Sequence, residues 1–484
     1  MNDIEKLQEV KALYKEHLEE RPAATRWSAL AQTLADLIDR GVFAEGDRLP
    51  THRELADLLG VTVGTVTRAY ADTTQRSLTV GIHGRGSFVC RSTPNVDIYA
   101  QSFRNTEKVP QARDAEAPFS RENPLDIGFI TPFEHLNPSL EGAMRKLAGK
   151  AELSSFCRYQ PPQGLARHRE AGALWAARFG LPAAPDNVLV CVGAQHALLT
   201  VLASLFSPGD RIAVEQLTYP LIKQLCQRLR LQAVPVHMDK NGMIPQSLDA
   251  ACRTRPIRGI YLMPSCHNPT LTMIPEHRRR ELVDICRRYD MTIIEDDVYA
   301  LSLEQRVPPL SRLAPERSCF IASTSEALGA GLRIAYLCAP QAWQAQLQQT
   351  IAYTVSMAPP LMAEIASIWI SDGTADSVLT AKRAAAAQAN ILARTILDGF
   401  PLETRTTGFF CWLKLPSAQG ASVQGASAAF AAKAREKGLI VADASCFSVS
   451  GQVPEEGVRL ALGLTDQKLL SSALQTLVGV LQQG

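Results

Sequence analysis

The sequence predicts a multidomain chain: a small winged helix-turn-helix domain followed by a large α/β domain built on a mostly parallel sheet. Three observations predict it. Residues 1–90 give short helices and then a Gly-rich hairpin. Residues 91–122 are polar, with Pro and charges and no clear period, which reads as a linker. From Pro124 onward, over a domain taken as 123–484, apolar strand-like runs alternate with helical patterns.

Composition sets the limits. With 484 residues the prior is about three domains. Apolar residues at 46% and charged residues at 20% suit a large buried core and argue against wholesale disorder. Apolar runs are broken well before the ~18 residues that a membrane helix needs. Met1 to Glu20 is rich in Glu and Lys, so no secretory signal is expected and the cytoplasm is. The net charge of +2 says nothing global about nucleic acid. The 11 cysteines include no C-x-x-C pair, so no metal is expected, and buried reduced thiols are.

The N-terminal segments carry clear local signals. Leu30, Leu34 and Ile38, with Leu37 beside them, define an amphipathic helix ended by Gly41. Thr51 and Glu54 form a capping box after Pro50 and start a helix that Gly60 stops. Thr62 caps a third helix with Val63, Val66 and Tyr70 on one face, leaving Thr65, Thr67 and Arg68 largely free. Leu78 to Val80 and Ser87 to Val89 are short strands around Gly81, Gly84 and Gly86. A capped helix with small hydroxyl side chains can lie close in a major groove, and Arg53 and Arg85 can meet phosphates or base edges. A helical dimerisation domain is the alternative on spacing alone.

RLPTHRELADLLGVTVGTVTRAY followed by GIHGRGSFV resembles the GntR-type winged helix. The resemblance implies contact with a double-stranded DNA operator through Arg53, Thr62, Thr65, Thr67, His83 and Arg85.

In the large domain, strands are expected at Asn187–Gly193, Asp210–Glu215, Arg258–Ser265 and Met291–Glu295. Helices are expected after Gly193, from Tyr219, and over Pro275–Arg288. Ligands in such sheets bind at the carboxyl ends of the strands. The polar residues there are Gly193, Ala194 and Gln195, then Asn268, Asp296 with Tyr299, and Ser323 to Ser325. Each also has a plain structural reading: packing for Tyr219 and Tyr299, turns for the serines, a solvated strand end for Asp296.

The order YQPPQG, VGAQHAL, TYP, HNPT, EDDVY, STSEALGAGLR, GFFCWL and VRLAL resembles fold type I, the aspartate-aminotransferase-like fold that uses pyridoxal phosphate. Joined to a GntR domain, it resembles the MocR class of transcription regulators. The resemblance implies phosphate contacts from Gly193, Ala194, Gln195, Ser323, Ser325 and Arg333, and from Tyr159 toward a neighbouring subunit. It implies ring stacking by Tyr219, a ring-nitrogen partner in Asp296, and ring-hydroxyl partners in Asn268 and Tyr299. Arg459 corresponds to the arginine that takes an amino acid's carboxylate. A head-to-tail homodimer is implied as well.

One position departs from the pattern. The Schiff-base lysine of the family follows S-x-S directly, seven residues before the phosphate arginine, and here that place is Glu326. No lysine lies between Lys240 and Lys382. Without the amine no lysine aldimine forms, so an aminotransferase-like domain without catalysis is expected. Glu326 and Arg459 are then effector-binding candidates, and pyridoxal phosphate or pyridoxamine phosphate is expected to bind noncovalently. A site for another small amine or amino acid, a pure dimerisation scaffold, and an enzyme acting without the usual lysine remain open. Leu271 after HNPT and Leu217 before Thr218 also depart from the family's glycine and proline.

Overall fold

A computed structural model describes residues 3–20, 25–44, 47–75, 78–82, 86–89, 119–121, 123–149, 153–304, 307–415 and 425–482. The chain divides into two compact units, Met1–Ala100 and Gln101–Gly484.

The first unit contains α1 (Asp3–Glu20), α2 (Arg26–Asp39), α3 (His52–Leu59), α4 (Val63–Gln75) and the antiparallel pair β1 (Thr79–Ile82) and β2 (Gly86–Val89). Leu30, Leu34, Leu37 and Ile38 of α2 are buried, as their spacing requires. Val10, Leu13 and Tyr14 of α1 join the same core. The charged N-terminal segment hid this long helix, because its apolar face is so narrow. The capping box is formed: the Glu54 amide donates to Thr51 Oγ1 at 3.3 Å, and the Thr51 amide donates to Glu54 Oε2 at 2.7 Å. Gly60 ends α3 with φ +62°, where a Cβ would be strained. In α4, Val66 and Tyr70 are buried but Val63 is 46% exposed. Val63 opens the helix, ahead of the turn that packs inward, so the expected face begins one turn later. The Leu49 amide donates to Ser87 O and the Val89 amide to Asp47 O, which ties the segment before α3 to the hairpin.

The second unit holds a seven-stranded sheet. Its strands are β3 (Val188–Cys191), β4 (Arg211–Glu215), β5 (Gln232–Val236), β6 (Gly259–Leu262), β7 (Thr292–Asp296), β8 (Ser318–Ser323) and β9 (Ala335–Cys338), in the spatial order β3-β9-β8-β7-β6-β4-β5. Every neighbouring pair is parallel except the two that involve β9. All four strands expected from the sequence are present. β5, β8 and β9 complete them.

Helices α5 (Gly193–Leu205), α6 (Pro220–Arg228) and α7 (Glu276–Arg288) follow β3, β4 and β6 as crossovers. Two buried clusters flank the strands. Val188, Val190, Phe320 and Ala322 pack with Trp175 and Phe179. Ala213, Ile260, Leu262 and Ile293 pack with Leu248, Leu282 and Cys286. The Trp175 indole donates to Ser323 O at 3.0 Å and fixes the carboxyl end of β8.

The one-turn helix α8 (Ser325–Leu328) leaves β8, and the long helix α9 (Thr374–Ile396) follows further on. A smaller antiparallel sheet comes last, with β10 (Leu402–Glu403), β11 (Phe410–Lys414), β12 (Ala442–Asp443) and β13 (Gly457–Ala461) in the order β10-β11-β13-β12. Phe119 is buried, and the Ser120 backbone lies against Gly438, so the chain ahead of Leu125 is already packed on this unit.

Candidate functional site

Parallel strands gather their carboxyl ends along one edge, and that is where the expected residues meet. Gly193 opens α5 with φ +78°. A Cβ there would stand 2.6 Å from an Arg333 Nη, so only glycine lets the guanidinium reach the helix N-terminus. Arg333 itself is left-handed, with φ +53°. No side chain caps α5 among the described residues. Its first amides, at Gly193, Ala194 and Gln195, are thus placed to receive an anion beside an arginine. The Gln195 side-chain amide donates to Tyr219 Oη at 3.4 Å. Ser323 ends β8, and its Oγ accepts from the Ser325 amide at 3.2 Å.

Asp296 ends β7 and is buried. Its Oδ2 accepts from Tyr261 Oη at 2.9 Å, while Oδ1 is buried with no hydrogen-bond partner among the described residues. Burial pushes its carboxyl up to about 7, with the Asp297 charge adding to the effect. Neither Asp296 nor Glu295 is a solvated strand end. Glu295 is fixed by the Leu310 and Ser311 amides and the Ser311 hydroxyl. Buried Arg279 donates to Pro264 O and Ser265 Oγ, and Ser265 in turn holds Asp297. This network sets the segment from Pro264 toward Asn268. Tyr299 is buried edge-on to Phe410 at 5.1 Å. Burial, then the Glu326 charge, pushes its phenol well up.

Arg459 comes from β13 of the small sheet, paired with Trp412 and Ala442. Its guanidinium donates to Asn268 Oδ1 at 2.7 Å and to Gly128 O at 2.5 Å. It lies 5.0 Å from the Phe447 ring centre and 5.9 Å from that of Phe410. Its Nε is buried with no hydrogen-bond partner among the described residues. Small and large sheets thus meet at Asn268–Arg459.

Glu326 stands in α8, partly accessible. Burial pushes its carboxyl up to about 7; Lys382 opposes this most strongly, Asp296 adds to it, and Arg333 and Arg459 oppose it. Asp296, Tyr299, Arg333, Glu326 and Arg459 therefore share one electrostatic environment.

Lys382 is the residue that sequence reasoning missed. It sits on α9, and its Nζ donates to Asn137 Oδ1 at 2.8 Å and to the Glu326 carbonyl at 3.0 Å. Burial pulls it down to about 8, against the Glu326 and Glu134 charges. A signal existed: Ala375, Val378, Leu379, Lys382, Ala386 and Ala389 form the buried stripe of α9. A lysine on an apolar stripe must find partners.

Tyr159 is 89% exposed and joins nothing within this chain's cluster. In the first unit, Arg53 is exposed at the start of α3. Thr62 Oγ1 accepts the Thr65 amide at 3.2 Å and is 2.9 Å from Thr65 Oγ1. Thr67 Oγ1 donates back to Val63 O at 2.9 Å. His83 and Arg85 lie outside the described residues. Among the described residues no group of His, Cys, Asp and Glu could hold a metal ion, and no helix is long and apolar enough to cross a membrane.

The family profile described as "Aminotransferase class I and II" matches residues 126–475. The chain belongs to the aminotransferase class I and II family. The profile "Bacterial regulatory proteins, gntR family" matches residues 27–89. The aminotransferase class I and II domain thus follows a GntR winged helix-turn-helix.

The chain is similar to curated relatives over most of their length. The "Uncharacterized HTH-type transcriptional regulator YdeF" of Bacillus subtilis is 29% identical over 436 residues, covering 90% of each chain. The "Vitamin B6 salvage pathway transcriptional repressor PtsJ" of Salmonella typhimurium is 26% identical, covering 89% of this chain and 92% of the relative.

Solved structures give the fold. An archaeal alanine:glyoxylate aminotransferase superposes with a TM-score of 0.70 at 20% identity, over 81% of this chain and 96% of its own. The α-aminoadipate aminotransferase LysN of Thermus thermophilus gives 0.66 at 23% identity, over 80% of this chain and 98% of its own. The large unit is a fold type I aminotransferase domain.

Proposed function

We propose that this chain is a cytoplasmic DNA-binding transcription regulator. Its aminotransferase domain senses a B6 vitamer, or an amino-acid-like ligand, noncovalently and without turnover. The observation that carries the reading is Glu326. It stands one residue after Ser325, seven before Arg333, in the place where the family holds its Schiff-base lysine. Asp296, Tyr299, Arg333 and Arg459 lie within its electrostatic reach, which supports the reading.

The fit rests on two features. The buried, unpartnered Oδ1 of Asp296 suits the protonated nitrogen of a pyridine ring. The Gly193 cradle, which Arg333 fills and a Cβ would block, suits a phosphate. Pyridoxal phosphate or pyridoxamine phosphate would be held by Gly193, Ala194, Gln195, Ser323, Ser325 and Arg333 at the phosphate. Tyr219, Asn268, Asp296 and Tyr299 would hold the ring. When bound, the group presents an electron-poor ring with an aldehyde or an aminomethyl arm.

The chain's own residues select the ligand. A carboxylate at Glu326 offers no amine for covalent attachment. Once ionised, it attracts an ammonium and repels an anion at the same place. Arg459, held by Asn268 and Gly128, would take a ligand carboxylate. Amine and carboxylate recognition together favour a ligand of amino-acid type, or an aminated vitamer.

On the DNA side, Arg53, Thr62, Thr65, Thr67, His83 and Arg85 contact operator DNA. The exposed Tyr159 reaches the phosphate site of the neighbouring subunit in a head-to-tail homodimer. A ligand that binds two arrangements of that dimer unequally shifts the placement of the DNA-binding domains. Relatives named as transcriptional regulators, one of them a B6 salvage repressor, support this reading.

Titration calorimetry of the full chain with pyridoxal phosphate and pyridoxamine phosphate tests it. Saturable binding of either is expected. Absence of binding by both, together with absence of binding by amino acids, would contradict it.

A further inference from the structure

The edge of the main sheet away from the ligand site has a chemistry of its own. Parallel strands all enter from that edge, and neighbouring strands there enter beside arginines. Arg211 is the first residue of β4, Arg258 immediately precedes β6, and Arg230 lies two residues before β5. The three strands are adjacent, in the order β6-β4-β5. Backbone bonds bring the entries together: the Arg258 amide donates to Arg211 O at 2.8 Å, and the Gly209 amide to Arg230 O at 2.7 Å. At about 4.8 Å per strand, this sets three guanidinium stems along roughly 10 Å of rigid sheet edge. Arg228, at the end of α6, and Arg255, ahead of β6, flank them. Arg228, Arg230, Arg255 and Arg258 are exposed, and Arg211 is partly so.

Along the same edge toward β7 and β8, arginines are matched by acids. Arg253 and Arg288 share Asp249, Arg287 holds Glu316, and Arg317 holds Asp290. No acidic side chain pairs with Arg211, Arg228, Arg230, Arg255 or Arg258 among the described residues. The nearest acid in sequence, Asp210, instead accepts the Ser207 amide at 2.8 Å. One end of the edge is therefore a compensated surface, and the other is a row of unmatched guanidinium groups.

We propose that Arg211, Arg230 and Arg258, with Arg228 and Arg255 beside them, form a second, sequence-independent contact to the phosphate backbone of duplex DNA. The inference rests on the reading that the N-terminal unit binds DNA, because that unit keeps duplex at high local concentration for this chain. Guanidinium forks match phosphate oxygens, and a row fixed to strand ends meets successive phosphates with little ordering cost. No base edge is read, so the contact adds affinity and salt dependence but no sequence preference.

The test uses the full chain and a long mixed-sequence duplex, followed by fluorescence anisotropy between about 50 and 200 mM salt. The variant R211Q/R230Q/R258Q is expected to bind about tenfold more weakly, with a log–log salt slope shallower by about 2 to 3. R211K/R230K/R258K is expected to keep most of the slope, and thermal melting of both variants should match the parent. Unchanged affinity and slope in the glutamine variant would overturn the proposal. If Arg53→Ala still weakens binding in that case, the winged helix reading survives alone. A loss in the glutamine variant with none for Arg53→Ala would keep this surface and remove the winged helix placement. A parent chain that does not bind the duplex at all overturns both.

Discussion

The ammonium of Lys382 donates to the main-chain carbonyl of Glu326 across 3.0 Å. A buried cation from the long helix α9 is thereby fastened to the single turn that carries the departing residue of the site. The same ammonium holds Asn137 Oδ1, so the α8 turn, α9 and the segment before Ser139 meet at one charge. Lys382→Met would leave two acceptors unpaired and remove the positive charge that most strongly favours the ionised Glu326 carboxylate. The expected cost is about 2–4 kcal/mol in urea unfolding near neutral pH. A cost below about 0.5 kcal/mol would mean that the pair fastens nothing.

The pH dependence has a definite sign. The Glu326 carboxyl is raised to about 7 from its ordinary 4.5. Its contribution to stability is complete below about pH 4.5 and is lost as pH rises through about 7, because folding then holds an unwelcome charge. Asp296, also raised to about 7, acts in the same direction. Glu326→Gln should flatten the fall in stability between about pH 5.5 and 8 by roughly 1–2 kcal/mol. Denaturant melts at the two pH values measure it. A Glu326→Gln protein with the parent's pH profile would show that this carboxyl does not titrate in that window.

Ligand affinity should follow the two features that fit the vitamer. Asp296→Ala removes the ring-nitrogen partner, and Arg333→Met removes the phosphate charge. Each should weaken pyridoxamine phosphate binding by about 100-fold in titration calorimetry, at roughly 1.4 kcal/mol per factor of ten. Affinity unchanged in both variants would put the vitamer at another place on the protein.

The N-terminal unit gives two separable outcomes. Thr51→Ala breaks the capping box and should cost that unit about 1 kcal/mol, read by thermal unfolding. Arg53→Ala should leave stability alone but weaken DNA binding and lower its salt slope by about 1. An Arg53→Ala protein that binds DNA like its parent would contradict the placement of Arg53 at the DNA.

Local chemistry made much of this fold legible. Thr51 and Glu54 announce a capping box three residues apart, and Gly193 and Arg333 belong to recognisable segments that the sheet brings together. Elements with weak local signals were harder to read. The long α1 hides its three core residues among charges. Val63 looks like a core residue but opens its helix and faces out. For Lys382 the stripe of α9 signalled a need for partners but not which ones: Glu326 lies 56 residues away in sequence, on another element. The Arg279 network, which joins Pro264, Ser265 and Glu295, is equally nonlocal. Contacts of that kind arise from the packing of distant elements, and residue spacing carries no trace of them.

The central claim is that the site receives a B6 vitamer without covalent attachment, because Glu326 replaces the amine. The most direct measurement is borohydride reduction after incubation with pyridoxal phosphate, followed by peptide mass analysis of the parent chain and of Glu326→Lys. The account expects a phosphopyridoxyl adduct on the new lysine of the variant and none on any site lysine of the parent. An adduct on Lys382 of the parent would contradict it.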